Sequence, residues 1–153
     1  MKCNFFEGGF ILKKIVYNMD LCNACFKCHA ACAKVHSDKE GLSCRKMKRV
    51  ENPVTNSFRL ITESCRHCED PTCLNNCAHD VFSVDPETGF VITNDENCIG
   101  CQICSFVCPF DVPKFLNEKI VKCDGCNDRV KARLLPACVE ACESHALRIV
   151  DVK

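Results

Sequence analysis

Apolar positions along this chain come in short bursts, each too brief for a long helix. "KKIVYN", Lys13 to Asn18, reads as a strand. "CRKMKRV" and "SFRLITE" flank the turn-rich "ENPVTN", which predicts a hairpin. "VFSV" and "FVIT" flank "DPETG" and predict a second one, with stronger turn chemistry. "EKIVKC" and "ALRIVDV" read as the strand pair of a last unit. The segments between these runs are dominated by cysteine. Short helical turns fit there, and few long helices are expected.

The chain has 18 cysteines in 153 residues, a density that suits either a disulfide scaffold or a metal scaffold. The opening "MKCNFFEGGFILKKIVYNMD" shows no secretory apolar core, cleavage site or twin arginine. No run approaches the roughly 20 apolar residues of a spanning helix. The expected location is therefore cytoplasmic, where thiols stay reduced, and the cysteines are expected to bind metal. The formal charge is zero, from 20 basic and 20 acidic residues. If the thiols are thiolates on metal clusters, the loaded protein is more acidic than its sequence, and the Lys and Arg content reads as compensation. Nucleic acid is not an expected partner.

Sixteen cysteines form four groups. The first is Cys22, Cys25, Cys28 and Cys32, and the second is Cys65, Cys68, Cys73 and Cys77. The third is Cys98, Cys101, Cys104 and Cys108 in "CIGCQICSFVCPF". The fourth is Cys123, Cys126, Cys138 and Cys142. The groups behave as internal repeats, each ending in C-x-x-x-C. A β-type run follows each except the first, where "CAKVHSDKEG" suggests an inserted loop.

The wrap C-x-x-C-x-x-C points three thiolates inward, and a cubane cluster needs one more. The fourth cysteine shares a helical face with the third, about 6 Å further along the axis. One cluster does not easily take both. In two-cluster ferredoxins with this run, the last cysteine ligates the other cluster. The groups are thus expected to work in pairs. Asn23, Ala24, Gly100 and Gly125 are small or polar and would let N–H groups approach cluster sulfurs. Ile99, Ile103, Phe106, Val107, Phe82 and Phe110 are expected to pack around the clusters and exclude water. Taken alone, the fourth group also resembles a zinc ribbon.

The order of spacings resembles the four-cluster ferredoxin-type electron-transfer subunits of dimethyl sulfoxide reductase, formate dehydrogenase and formate hydrogenlyase systems. Small relatives serve tungsten aldehyde oxidoreductases and carbon monoxide dehydrogenase systems. "CRHCEDPTC" and "PACVEAC" are also similar to the family, and the resemblance covers about residues 14 to 150. It implies an α+β fold of tandem bacterial-type ferredoxin units, one nested inside the other, with short strands and helices. The outer unit would take residues 1–43 plus 119–153 and the inner unit residues 44–118, in one compact domain overall.

Four [4Fe-4S] clusters follow by position. One takes Cys22, Cys25, Cys28 and Cys142, and its pair takes Cys123, Cys126, Cys138 and Cys32. A third takes Cys65, Cys68, Cys73 and Cys108, and a fourth takes Cys98, Cys101, Cys104 and Cys77. Such a protein is not itself an enzyme. It relays single electrons between a catalytic oxidoreductase subunit and another redox partner, such as a flavin protein or a ferredoxin. The catalytic subunit is expected to be a molybdenum or tungsten enzyme, such as aldehyde oxidoreductase or formate dehydrogenase, ahead of a hydrogenase or carbon monoxide dehydrogenase. Self-association fits as well. An autonomous polyferredoxin and a zinc-binding structural protein are the alternatives. The chain lacks the insertions and C-terminal extension of larger members, so no membrane contact is expected. Ala33, Ala78 and Glu143 stand where ferredoxin motifs often have proline, which only Pro109 retains.

Cys3 and Cys44 are left over and read as spare buried or surface thiols, or as extra ligands or redox thiols. His67 sits between two candidate ligands, as a packed neighbour or a hydrogen-bonding modulator of its cluster. "RKMKR" and "DRVKAR" read as solvated basic faces, or as docking patches. His29, His36, His79 and His145 show no spacing that suggests a site.

Overall fold

The structure, a computed structural model, describes residues 12–152. Cys3 lies outside them. The first elements are β1 (Leu12–Tyr17) and α1 (Lys27–Val35), whose nine residues make it the longest helix described. A 3-10 turn (Ser37–Lys39) leads to β2 (Lys46–Asn52) and β3 (Ser57–Glu63). Next come α2 (Thr72–Asn75), β4 (Phe82–Val84) and β5 (Val91–Thr93). After a second 3-10 turn come α3 (Ile103–Val107), β6 (Lys114–Leu116) and β7 (Lys119–Val121). The last elements are α4 (Asn127–Lys131), α5 (Ala137–Glu140) and β8 (Leu147–Val152). This is a mixed α+β fold of short strands and short helices.

All the sheets are two-stranded and antiparallel: β1 with β8, β2 with β3, β4 with β5, and β6 with β7. Both expected hairpins form, and Asx turns fold them. Asn52 Oδ1 accepts the N–H groups of Val54 and Thr55 at 3.0 and 3.3 Å. Asp85 Oδ1 accepts those of Glu87 and Thr88 at 2.9 and 3.1 Å. The pairing expected for the last unit is wrong. β8 does not join the "EKIVKC" strand but pairs with β1, from Leu12↔Val152 to Tyr17↔Leu147. β7, within "EKIVKC", pairs with β6 through the tight Asn117–Glu118 turn, where both residues are left-handed. Periodicity marks a strand without naming its partner, and here a two-residue turn captured β7 first.

Helical turns lie between the third and fourth cysteines of every group, as expected. α1 packs against α5, and α2 against α3. After Cys32 the backbone runs through the 3-10 turn before reaching β2, which is the extra loop read from the polar run. The buried core is built on cysteine. One cluster joins Cys28, Cys138 and Cys142 to Val139, Ala146 and Leu147. A second joins Cys98 to Val81, Phe82, Val91 and Ile120, and a third joins Cys32, Cys44 and Cys123 to Val121. The expected apolar jacket is only partly there. Phe82 is buried, but Ile99, Ile103 and Phe106 are 62%, 46% and 88% exposed.

Candidate metal centres

Each cysteine group begins with the same backbone device. The second residue inside the first C-x-x-C is left-handed: Ala24 (φ 55°), His67 (46°), Gly100 (73°) and Gly125 (73°). That turn carries an N–H back toward the first sulfur. His67 N–H reaches Cys65 Sγ at 3.4 Å, and Gly125 N–H reaches Cys123 Sγ at 3.4 Å. Glycine is required where the space is closed as well as left-handed. A Cβ on Gly125 would lie 2.4 Å from the Phe90 ring, and one on Gly100 would lie 2.7 Å from the Glu118 carbonyl. Phe26 and Gln102, each just after a second cysteine, repeat the left-handed geometry and open α1 and α3.

The thiols gather across groups. Cys22, Cys25 and Cys28 line a small cavity together with Cys142 from the far end of the chain. Cys98, Cys101 and Cys104 line another with Cys77. Cys65, Cys68 and Cys73 line a third with Cys108. Cys32, Cys123, Cys126 and Cys138 lie near enough to feel one another's charge. Burial pushes the Cys126 thiol up to about 11, and Cys138 and Cys32 add to the rise. Burial also pushes Cys123 well above the usual thiol range, with Cys138 adding to it. Cys104 is raised by burial to about 11, with Cys101, Cys73 and Cys98 contributing. Cys104, Cys123 and Cys126 thus resist ionisation unless a cation joins them, a charge that iron would supply.

Three further observations fit anionic iron–sulfur groups at these positions. Arg45 is 2% exposed and Lys122 is 6% exposed, yet neither forms an ion pair with a carboxylate among the described residues. Arg45 donates to Thr62, to Ser64 and, at 3.5 Å, to Cys138 Sγ. Lys122 lines the Cys65–Cys108 cavity and donates to the carbonyls of Val91 and Cys123 at 2.6 and 2.7 Å. Buried cations of this kind call for nearby negative charge, and clusters with thiolate ligands would supply it. Finally, the Tyr17 hydroxyl is buried with no hydrogen-bond partner among the described residues, and Tyr17 lines the Cys22–Cys142 cavity. Burial, with Cys22 adding, pushes its phenol up to about 12.

Several of these residues could not be found from spacing. Arg45 belongs to the "RKMKR" run, but it is buried rather than solvated. The rest of that run is engaged too: Lys46 pairs with Asp111 at 2.8 Å, and Arg49 stacks over Phe58 at 4.1 Å. In "DRVKAR", Lys131 pairs with the buried Asp85, and Arg129 pairs with Glu140 at 2.7 Å. His36 and Cys44, which spacing passed over, lie with Cys32 so that their ligand atoms are within 4.8 Å of one another. These are three donors, one fewer than a closed structural zinc site takes. The Cys44 thiol, hydrogen-bonded to Cys32, is raised, and Cys32 is lowered. His67 is buried and neutral, since burial and the nearby Lys122 push its pKa well below the usual value.

A family model described as "4Fe-4S dicluster domain" matches residues 56–152, more than half of the chain. The protein belongs to the 4Fe-4S dicluster family. This dicluster protein is 35% identical over 138 residues to the B subunit of anaerobic dimethyl sulfoxide reductase from Escherichia coli (strain K12), covering 82% of this chain and 67% of that one. It is 35% identical over 141 residues to "Protein NrfC" of the same organism, covering 87% and 62%. A 91-residue stretch is 43% identical to the B subunit of anaerobic dimethyl sulfoxide reductase from Haemophilus influenzae, covering 58% and 44%. The dicluster protein thus spans between 44% and 67% of the length of these relatives. Among the described residues, no helix is long and apolar enough to cross a membrane.

Proposed function

We propose that this protein is the electron-transfer subunit of an oxidoreductase complex and holds four [4Fe-4S] clusters. The ligand sets are Cys22, Cys25, Cys28 and Cys142; Cys32, Cys123, Cys126 and Cys138; Cys65, Cys68, Cys73 and Cys108; and Cys77, Cys98, Cys101 and Cys104. The observation that carries this reading is the crossing of thiols. In three cavities the fourth cysteine comes from another group: Cys142 joins the set ending at Cys28, Cys108 joins the set ending at Cys73, and Cys77 joins the set starting at Cys98. The family match and the two buried cations support the same reading. The clusters, when bound, take up and give back single electrons.

The remaining work falls to the polypeptide. α1 carries Cys28 and Cys32, so one helix would ligate two clusters, and α3 with Cys104 and the adjoining Cys108 would do the same. This supports a linear order of the four sites. Cys25 and Cys101, in the two end sets, are exposed, whereas Cys123 and Cys138 in the middle are buried. The end sites therefore suit electron entry and exit through partner proteins. The nested division, with residues 1–43 plus 119–153 outside and 44–118 inside one compact domain, is part of this proposal, and the β1–β8 and α1–α5 contacts favour it. The catalytic partner is a molybdenum or tungsten oxidoreductase, a class that includes aldehyde oxidoreductase and formate dehydrogenase. The relatives named as reductase subunits support a reductase-type assembly.

Anaerobic metal and sulfide analysis tests the reading: four irons in each of four clusters give about sixteen per protein, with equal sulfide. A colourless protein holding a few zinc ions overturns it. Cys108→Ser tests the crossing. It should damage the site of Cys65, Cys68 and Cys73 and spare that of Cys98, Cys101 and Cys104, and electron paramagnetic resonance that finds the reverse refutes it.

A further inference from the structure

His67 lies inside the second cysteine group, between Cys65 and Cys68, yet its side chain points elsewhere. The ring Nε2 sits 3.8 Å from Cys123 Sγ in the fourth group. Nδ1 accepts the Val91 N–H at 3.0 Å, so Nδ1 carries no proton and the hydrogen of the neutral ring is on Nε2. The tautomer inferred from this bond makes His67 a donor to Cys123. The residue is 3% exposed and its ring packs on Phe90, with centroids 4.6 Å apart, so water does not replace the contact. Only the backbone of His67 serves its own group, through its N–H to Cys65 Sγ. Lys122 grips Val91 from the other side by donating to the Val91 carbonyl. Val91, buried at the start of β5, therefore holds the imidazole in register.

We propose that the His67 side chain sets the reduction potential of the cluster ligated by Cys123, across the junction between inner and outer units, and not that of the cluster whose ligands flank it. This rests on the ligand sets proposed above. Reduction adds one electron to the cluster and its thiolates, with no bond made or broken and no proton moved. An N–H aimed at a thiolate sulfur stabilises the more negative, reduced state. A donor of this type lowers the free energy of the reduced state enough for about a tenfold effect. His67 is a positioning residue in this sense, because it acts through Cys123. Its backbone bond to one ligand and its ring bond to another also make it a direct protein contact between those two sites.

Two substitutions separate tuning from packing. His67→Asn keeps an acceptor near Nδ1 for Val91 but loses the reach to Cys123. His67→Gln keeps an N–H at the Nε2 position but leaves the Val91 N–H without a partner. The experiment is a redox titration of the anaerobic protein, reduced with a low-potential reductant and followed by electron paramagnetic resonance. The Cys123 cluster is identified as the signal altered in Cys126→Ser. H67N should bind an electron at that cluster about tenfold less tightly, which for one electron is about 59 mV to lower potential. The signal altered in Cys68→Ser should stay in place. H67Q should keep the wild-type potential and melt at a lower temperature. If H67N does not fold, a displaced midpoint in H67Q overturns the proposal on its own. An unmoved Cys123 midpoint in H67N, or a shift confined to the Cys68 signal, also overturns it. A wild-type protein without four clusters would overturn the ligand sets themselves, and iron analysis distinguishes that failure from this one.

Discussion

Arg45 Nη1 donates to Cys138 Sγ at 3.5 Å, joining positions 93 residues apart. The same guanidinium donates from Nε to Thr62 Oγ1 at 2.9 Å and from Nη1 to Ser64 Oγ at 3.0 Å. A planar fork of fixed donors meets three acceptors that a lysine could not reach together. Arg45→Met would leave the Thr62 and Ser64 hydroxyls without this donor and remove a buried cation from beside Cys138 Sγ. The expected loss is about 1–3 kcal/mol of stability. Anaerobic thermal unfolding should show it, with Arg45→Lys falling between wild type and Met.

Lys122 predicts an electrostatic effect at the cavity lined by Cys65 and Cys108. Its ammonium lines the Cys65–Cys108 cavity, and its charge lowers Cys73 against the stronger upward push of burial. Lys122→Met should make reduction of that cluster harder, lowering its midpoint, and leave two carbonyls unpaired. The accompanying destabilisation is about 1–3 kcal/mol. Potentiometric titration checks the first effect. An unchanged midpoint in all four signals would rule out a charge role for Lys122.

Asp85 joins the β4–β5 turn to α4. Its carboxylate takes Asn127 Nδ2 at 3.0 Å and the Lys131 ammonium at 2.5 Å. Burial alone would raise this carboxyl, but Lys131, Asn127 and the Thr88 and Glu87 amides together hold it well below the usual carboxylate range. A depressed native pKa stabilises the fold above the unfolded value of about 3.9 and ceases to do so as pH falls through the native value. Asp85→Asn also sets an NH2 against other donors. The variant should melt lower at neutral pH by about 1–3 kcal/mol. Its gap from wild type should stay flat from about pH 8 to 5 and close only below about pH 4.

Gly125 and Gly41 form a matched pair. Both are left-handed, at φ +73° and +68°, but Gly41 faces open space, with its nearest neighbour 4.0 Å away, while Gly125 abuts Phe90. Gly41→Ala should cost about 1 kcal/mol, the backbone penalty alone. Gly125→Ala should cost more and lower the iron content, because the displaced turn withdraws the N–H from Cys123. Equal losses in the two variants would show that the Phe90 contact is soft.

Cysteine spacing revealed the groups and the helical turn after each third cysteine, and it pointed to groups that meet, as Cys142, Cys108 and Cys77 meet other groups in the cavities. It did so because ligand geometry constrains neighbours along the sequence. The two Asx-turn hairpins were equally legible, since Asn52 and Asp85 act on amides two and three positions away. What escaped were long-range choices. Nothing local in "ALRIVDV" favours Leu12–Tyr17 over Lys119–Val121 as a partner. Arg45 looked like one of four basic residues in a run of five, and only its burial against Thr62, Ser64 and Cys138 sets it apart. Ile99, Ile103 and Phe106 looked like core, because an apolar residue next to a ligand reads the same whether it faces inward or out. His67 was legible as a candidate modulator, but the sulfur its ring faces lies 56 positions away.

During synthesis, β1 leaves the ribosome long before its partner exists, because Tyr17 pairs with Leu147. The cysteines from Cys65 to Cys108 have all emerged by then, while Cys138 and Cys142 arrive just ahead of β8. On the proposed ligand sets, cofactor delivery would start in the middle of the sequence and finish at its two ends. A protein ending shortly after Cys108 would then complete only the two sets within residues 65–108, and Cys22, Cys25 and Cys28 would lack Cys142.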